Sequence, residues 1–446
     1  MIAAVVLLMA CMGSARAEDG HALWLRYMPL DAGRAAAYGT VLSHVDAPDR
    51  TPAQRAARDE LVRGLTGLLG SAPRQDGATA AGPALVVGTP RSSRLIAAYA
   101  GQIDALGEEG YLIKRTRGTG RDVLLVAARG DVGVLYGVFH LLRVLQTGVD
   151  LETIDVRESP RLRLRVLDHW DDLDGHVERG YAGRSLWDWQ TLPEWQDPRY
   201  TDYARANASL GINGTVLNNV NANAQSLAPH YIEKAAALAD VFRPYGIRVY
   251  LSARFSAPIE LGGLATADPL DPAVQRWWRE KADGIYARIP DFGGFLVKAN
   301  SEGQPGPQDY GRSHAQGANL LADALAPHGG VVMWRAFVYA HEVPADRATQ
   351  AYTEFAGLDG AFRQNVVLQV KNGPIDFQPR EPFHPLFGAM PRTPLAMEVQ
   401  ITKEYLGFAT HLVYLGPLYE EVLRSDTGLP GDQQTLFAFE GCLQPV

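Results

Sequence analysis

The chain has 446 residues, 46% hydrophobic and 21% charged, with a formal net charge of −8. That length exceeds one ordinary core and favours two domains, and the composition excludes a disordered chain. The acidic balance argues against a nucleic-acid binder that works by neutralising phosphates, but leaves open a sugar ligand, neutral or acidic, whose recognition is local.

The first segment, MIAAVVLLMACMGSARAEDG, is apolar from Ile2 to Met12 and then reaches the small-x-small pattern Ala15-Arg16-Ala17. This predicts a signal peptide over residues 1–17, without a basic n-region, and export to the periplasm or the outside. The alternative is a mis-assigned start codon. The run is too short to span a bilayer as a permanent helix. Cleavage would leave Cys442 as the one cysteine, so neither an internal disulfide nor a cysteine-rich metal site is available.

Residues 18–155 read as a small N-terminal α/β domain. PALVVGTP (83–90), GYLIKRT (110–116) and DVLLVAA (122–128) are short apolar runs bounded by turn residues and predict strands. GVLYGVFHLLRVLQ (133–146) has helical spacing. Gly118 and Gly120 form a lone G-x-G that does not open a helix, so no nucleotide fingerprint is present. Pro160 marks the crossing into the next unit.

From 156 to 425 strand-like runs alternate with helix-length segments. The runs are RVLDHW (165–170), INGTVLN (212–218), IRVYLSARF (247–255), GGFLVKAN (293–300), GVVMWRAF (330–337), VVLQVKNG (366–373), LAMEVQ (395–400) and HLVYLGP (411–417). Segments such as 200–211 and 273–289 separate them as helices. Strands alternating with helices imply parallel pairing, and eight in about 250 residues match a (β/α)8 TIM barrel. The expected fold class is therefore α/β, a small N-terminal domain followed by a TIM barrel.

In such a barrel the chemistry collects at the C-terminal strand ends. Strand one ends in His169, Trp170, Asp171, Asp172 and Asp174; strand two in Asn218, Asn219 and Asn221; strand four in Lys298, Asn300 and Glu302. Strand five ends in Trp334 and Arg335, strand six in Lys371, Asn372 and Asp376, and strand seven in Glu398 and Glu404. Several carboxylates sharing one mouth with Trp, Asn and basic residues suit glycoside hydrolysis, in which one acid protonates the leaving oxygen and another activates water or attacks. Lys298, Arg335 and Lys371 would be wasted on a neutral sugar and would pair with a substrate carboxylate, which points to a uronic acid. A single carboxylate past a strand end is ordinarily a cap or a loop ion pair, and Lys298 and Lys371 could serve only to pair with the acids. HWDDLDGH places oxygen ligands close together but lacks calcium-loop spacing, so it reads as a capped strand-to-loop transition. Trp277 and Trp278 on a predicted helix read as packing residues.

LDHWDDLDG, GINGTVLNNVNA, KANSEGQPGPQDYGR, VMWRAFVY, QVKNGPIDFQPREP and ITKEYLG, in this order, closely resemble the family 67 glycoside hydrolases, the α-glucuronidases of xylan breakdown. The resemblance spans about residues 20 to 425. It implies exo-acting removal of α-1,2-linked glucuronic or 4-O-methyl-glucuronic acid from the terminal xylose of xylo-oligosaccharides, with inversion. The partners it implies are aldouronic acids and glucuronoxylan-derived oligosaccharides. Carried over by motif, it makes Glu302 the general acid and the pair Asp376 and Glu404 the groups that activate and orient water, with Glu398 as the competing assignment. Lys298, Arg335 and Lys371 would hold the uronate carboxylate, Trp170 the sugar ring and Asn219 a hydroxyl. Inversion would place Glu302 about 6.5–9.5 Å from the base carboxylates. No metal or organic cofactor is implied, and full-length relatives suggest a homodimer. Residues 426–446 depart from the family pattern, where a helical C-terminal domain would follow. The expectation is a C-terminally truncated member, and the alternative is an impaired homologue that at most binds acidic xylo-oligosaccharides.

Overall fold

The computed structural model describes residues 18–77, 79, 82–117, 120, 122–178, 180, 183–339, 346–375, 382–399, 414–428 and 443–445. The predicted leader, residues 1–17, lies outside them. No helix among the described residues is long and apolar enough to cross a membrane.

Two sheets organise the chain. The N-terminal one has the order β1-β2-β4-β3-β5, from β1 (Val45–Asp46), β2 (Ala84–Gly88), β3 (Tyr111–Thr116), β4 (Val123–Ala128) and β5 (Asp155–Glu158). The first three neighbours pair parallel, whereas β3 runs antiparallel to both β4 and β5. The three apolar runs read from the sequence are β2, β3 and β4. β1 and β5 lacked a signal because one is two residues long and the other, DVRE, is polar and largely exposed. Helix Asp131–Thr147 covers one face, as expected from its periodicity, together with helix Pro52–Leu69. The latter starts with a reciprocal Thr51–Gln54 cap that satisfies two of its first amides. Leu61, Leu65, Leu124, Val126, Leu135 and Leu142 are fully or almost fully buried in one core between these layers.

The second sheet is parallel and its strands follow chain order: β6 (Val166–Asp168), β7 (Gly214–Val216), β8 (Arg248–Ser252), β9 (Gly294–Val297), β10 (Val331–Arg335), β11 (Val366–Lys371) and β12 (Leu395–Val399). Each pairs in parallel with the next, through crossovers such as helices Arg199–Ser209 and Pro272–Arg288. The sheet curls strongly, since the Asp168 side chain on β6 comes within 3.4 Å of Gln369 on β11. Seven of the eight predicted strands are present. Of the eighth run, residues 411–413 lie outside the described residues, and Gly416–Leu423 is a helix instead. Pro417 explains this, because its fixed φ and missing N–H suit a first helical turn. The place beside β12 is taken by β13 (Leu443–Pro445), with Met397 opposite Leu443.

The period of two along each strand sorts the side chains. Phe295, Val297, Val332, Trp334, Leu368, Val370 and Met397 face the helices and join the large core there. Their alternates Leu296, Met333, Val367 and Ala396 face the concave side. Trp278 is buried in the outer core against Phe295, and partly buried Trp277 carries Lys281 over its ring, so both are packing residues as read.

Gly294 opens the strand that aims the central acid. Its φ is +136°, and a Cβ there would lie 1.8 Å from the Val331 carbonyl oxygen. Gly294→Ala is therefore expected to destabilise the fold by about 2–4 kcal/mol, read by urea denaturation; an unchanged midpoint would contradict the close β9–β10 approach.

Candidate active site

Inward alternation places the polar residues. Lys298 follows Leu296, Arg335 follows Met333, Gln369 and Lys371 follow Val367, Glu398 follows Ala396, and Asp168 follows Val166. Six polar side chains at alternate positions thus meet at one end of the concave face. Trp334, which the sequence placed in the mouth beside Arg335, faces the other way: it is fully buried in the outer core, and its Nε1 donates to His314 Nδ1 at 3.3 Å.

Past β9 the backbone enters the left-handed region at Asn300 (φ 51°) and again at Glu302 (φ 48°). Non-glycine residues rarely adopt this conformation, and here local bonds hold it. Glu302 N–H donates to the Tyr339 carbonyl at 3.1 Å, and Tyr339 N–H donates to Ser301 Oγ at 3.0 Å. Asn300 donates to Asp309 at 3.0 Å and accepts from Gln308 N–H at 3.1 Å. Gly306 belongs to the same arrangement, since a Cβ there would fall 2.0 Å from Asn300 Oδ1. The segment NSEGQPGP is a braced loop that carries Glu302 to an exposed rim.

Glu302 pairs there with Lys298, whose Nζ also donates to Asn221 Oδ1 at 2.8 Å. Lys298, Arg335 and Lys371 converge on one ring, that of Phe337: the Lys371 and Lys298 nitrogens lie 2.9 and 5.9 Å from its centroid and the Arg335 guanidinium carbon 5.4 Å. All three cations are at most 3% exposed. Crowding of like charges has a cost in this setting. Lys371 is held well below the ordinary lysine range by burial and by the Arg335 charge, and Lys298 is lowered by the same two causes in the same order. His384 is pushed down to about 4 by burial and by Lys371. Ring faces attract cations, so Phe337 offsets part of the repulsion.

Arg335 is also forked by Glu398, with Nε to Oε2 at 3.0 Å and Nη2 to Oε1 at 2.6 Å. Both partners are 2% exposed. Burial pushes Glu398 up, but the Arg335 and Lys371 charges, together with the hydrogen bonds from Arg335 and Gln369, leave it below its usual value. A buried carboxylate locked in a fork is an orienting group, which disfavours Glu398 as the water-activating base.

Trp170 is half-buried against the concave apolar cluster. Asn219 donates to Glu178 at 3.2 Å and accepts from Asn221 N–H at 2.9 Å, while its own N–H donates to the Asp171 carbonyl at 2.8 Å. Asp172 is pushed up to about 6, chiefly by burial. In the HWDDLDGH loop, Asp171 accepts from Ser185 and from Leu186 N–H, anchoring the strand-to-loop transition. Among the described residues no three His, Cys, Asp or Glu side chains form a cluster able to hold a metal ion. Asp376 and Glu404 lie outside the described residues, as therefore does their separation from Glu302.

Sequence reading missed Phe337, Gln369, Asp168 and Glu178. A signal existed for three of them: Phe337 lies two residues past Arg335 on the same side, Gln369 is the lone amide in an apolar strand, and Asp168 is the last residue of its strand. Glu178 depends on a loop return that periodicity does not encode.

The sequence profile for the glycosyl hydrolase family 67 N-terminus matches residues 23–141, and that for the glycosyl hydrolase family 67 middle domain matches residues 144–439. Alpha-glucuronidase A of Emericella nidulans is 43% identical over 445 residues, covering 96% of this chain and 52% of that protein. The probable alpha-glucuronidase A of Neosartorya fischeri is 43% identical over 430 residues, covering 95% and 50%. The chain thus spans about half the length of these curated relatives. A solved GH138 enzyme targeting pectin rhamnogalacturonan II aligns with a TM-score of 0.50 at 16% identity, covering 81% of this chain and 42% of that one. CpGH84D aligns with a TM-score of 0.51 at 9% identity, covering 81% and 57%. At such identities these two likenesses concern the fold alone. With profile matches that run through both sheets, the chain belongs to glycosyl hydrolase family 67.

Proposed function

We propose that this chain is an exo-acting α-glucuronidase that removes α-1,2-linked glucuronic acid, or its 4-O-methyl ether, from the terminal xylose of xylo-oligosaccharides with inversion. The observation that carries this reading is the meeting of Lys298, Arg335 and Lys371 around Phe337 beside Glu302. A uronate carboxylate entering that cage gains two or three charge-assisted bonds and relieves the mutual repulsion of the cations. A neutral glucoside would do neither.

In this reading Glu302 protonates the departing xylose oxygen while Asp376 and Glu404 activate and orient a water on the opposite face. Glu302 is paired with Lys298, and an arriving carboxylate competes for that same ammonium. Trp170 and Asn219 line the approach from strands one and two as ring and hydroxyl contacts. The region over 156–425 is read as a (β/α)8 barrel whose eighth place is filled by β13 from beyond it, following an N-terminal unit over 18–155 and an exported leader over 1–17.

The test is release of 4-O-methyl-glucuronic acid from aldouronic oligosaccharides by this chain, with the first-formed anomer followed by NMR. β-Anomer release is expected. α-Anomer release would contradict inversion, and a folded chain that releases nothing would contradict the activity.

A further inference from the structure

One half-buried acid of the concave face, Asp168, has no place in the reaction above. Gln369 Nε2 sits 3.0 Å from Glu398 Oε2 and 3.4 Å from Asp168 Oδ2, so one amide nitrogen links two carboxylates from β12 and β6. Asp168 Oδ1 and Gln369 Oε1 are both shielded from water and have no hydrogen-bond partner. With Asp168 ionised, two acceptors would lack donors and two carboxylates would share the Arg335 guanidinium, which is already forked by Glu398. Buried acceptors without donors and unpaired buried charge are both costly. A single proton on Asp168 removes one negative charge and supplies a donor.

We propose that Asp168 is a proton-carrying positioning residue that, through Gln369, holds Glu398 in its fork with Arg335 and so sets the guanidinium facing the sugar carboxylate. Only the last clause rests on the uronate reading.

The electrostatics agree. Burial first, then the Glu398 charge, push Asp168 up to about 8, against the partly opposing Arg335 charge and the Gln369 bond. Across the concave face Tyr250 on β8 is itself pushed to about 12 and stays neutral in this range, while Val216 and Leu296 on β7 and β9 carry no charge. Lys371 on β11 acts on Glu398 rather than directly on Asp168. The folded state therefore binds one more proton than the unfolded chain between the ordinary carboxylate range and pH 8. That proton's stabilisation is fully present below the unfolded value and is lost as pH rises through about 8.

The experiment is urea denaturation of the parent and Asp168→Asn from pH 5 to 9. Asn is neutral at every pH, keeps the shape and has its own donor. In the parent this group lowers the folding constant by up to about tenfold per pH unit up to pH 8, and Asp168→Asn is expected to lose that slope. Identical slopes would overturn the proton assignment. Should the variant not fold, ¹³C titration of aspartate carboxyls in the labelled parent decides the same point: one still protonated at pH 7 supports it, and none overturns it. For the positioning clause, Gln369→Leu is expected to raise KM for a uronic oligosaccharide about tenfold with kcat within about twofold, and an unchanged KM overturns it. A parent that turns over no uronate would fail the proposed function and remove that clause, while the stability slopes would still decide the proton.

Discussion

The Glu302→Gln variant is expected to fold like the parent and to release uronic acid about 10²–10⁴-fold more slowly, the usual loss when a positioned general acid is removed. Shape is conserved in this change. Glu302 lies at an exposed rim, outside either core, and its left-handed backbone is held by main-chain bonds that Gln retains. Lys298 keeps Asn221 as an acceptor, so no buried cation is stranded. What disappears is the proton for the leaving oxygen. An aryl glucuronide with a good leaving group needs little protonation and should recover much of the loss. If both substrates fell equally, Glu302 would be a binding residue rather than the acid.

Glu398→Ala should have the largest effect on stability, about 3–5 kcal/mol, because it strands the Arg335 guanidinium in a site where both partners are 2% exposed. The double replacement Arg335→Met with Glu398→Leu should recover much of that stability while leaving uronate binding lost, since burying two apolar side chains avoids the desolvation of both ions. Chemical denaturation of the two variants beside the parent checks this. The pair also sets an acid limit. Glu398 titrates below its usual 4.5, so its contribution is present above that value and is lost as pH falls through the lower folded value. Asp168 acts in the opposite direction, losing stability from the ordinary carboxylate range up to about pH 8, which places the optimum of these two groups together at that carboxylate range. A double replacement as unstable as Glu398→Ala would contradict the argument.

The sequence carried the strand pattern because seven of these strands are short apolar runs, buried on both faces as parallel strands are. Of the run 411–417, residues 411–413 lie outside the described residues, and its last two, Gly416-Pro417, start a helix where a strand end was expected. The sequence located Lys298, Arg335 and Lys371 correctly at strand ends because their chemistry is unusual there, and the structure brings all three to one ring. Trp334 was misplaced because the neighbourhood in sequence was used where alternation should have decided: residue 334 must point opposite to 335. Glu398 was ambiguous in the sequence, since a glutamate in a strand can be a base or a partner; the structure shows it forked with Arg335. Asp168 and Gln369 each stood out within its own strand, but their meeting depends on how far the sheet curls, which no local pattern records.

The central claim is that the three cations around Phe337 form a seat for a sugar carboxylate. Calorimetric titration of glucuronic acid and of glucose into this chain, beside Lys371→Met, tests it most directly. Glucuronic acid is expected to bind, glucose to bind at least tenfold more weakly, and Lys371→Met to narrow that difference. Equal affinity for the two sugars, or a preference untouched by Lys371→Met, would contradict it.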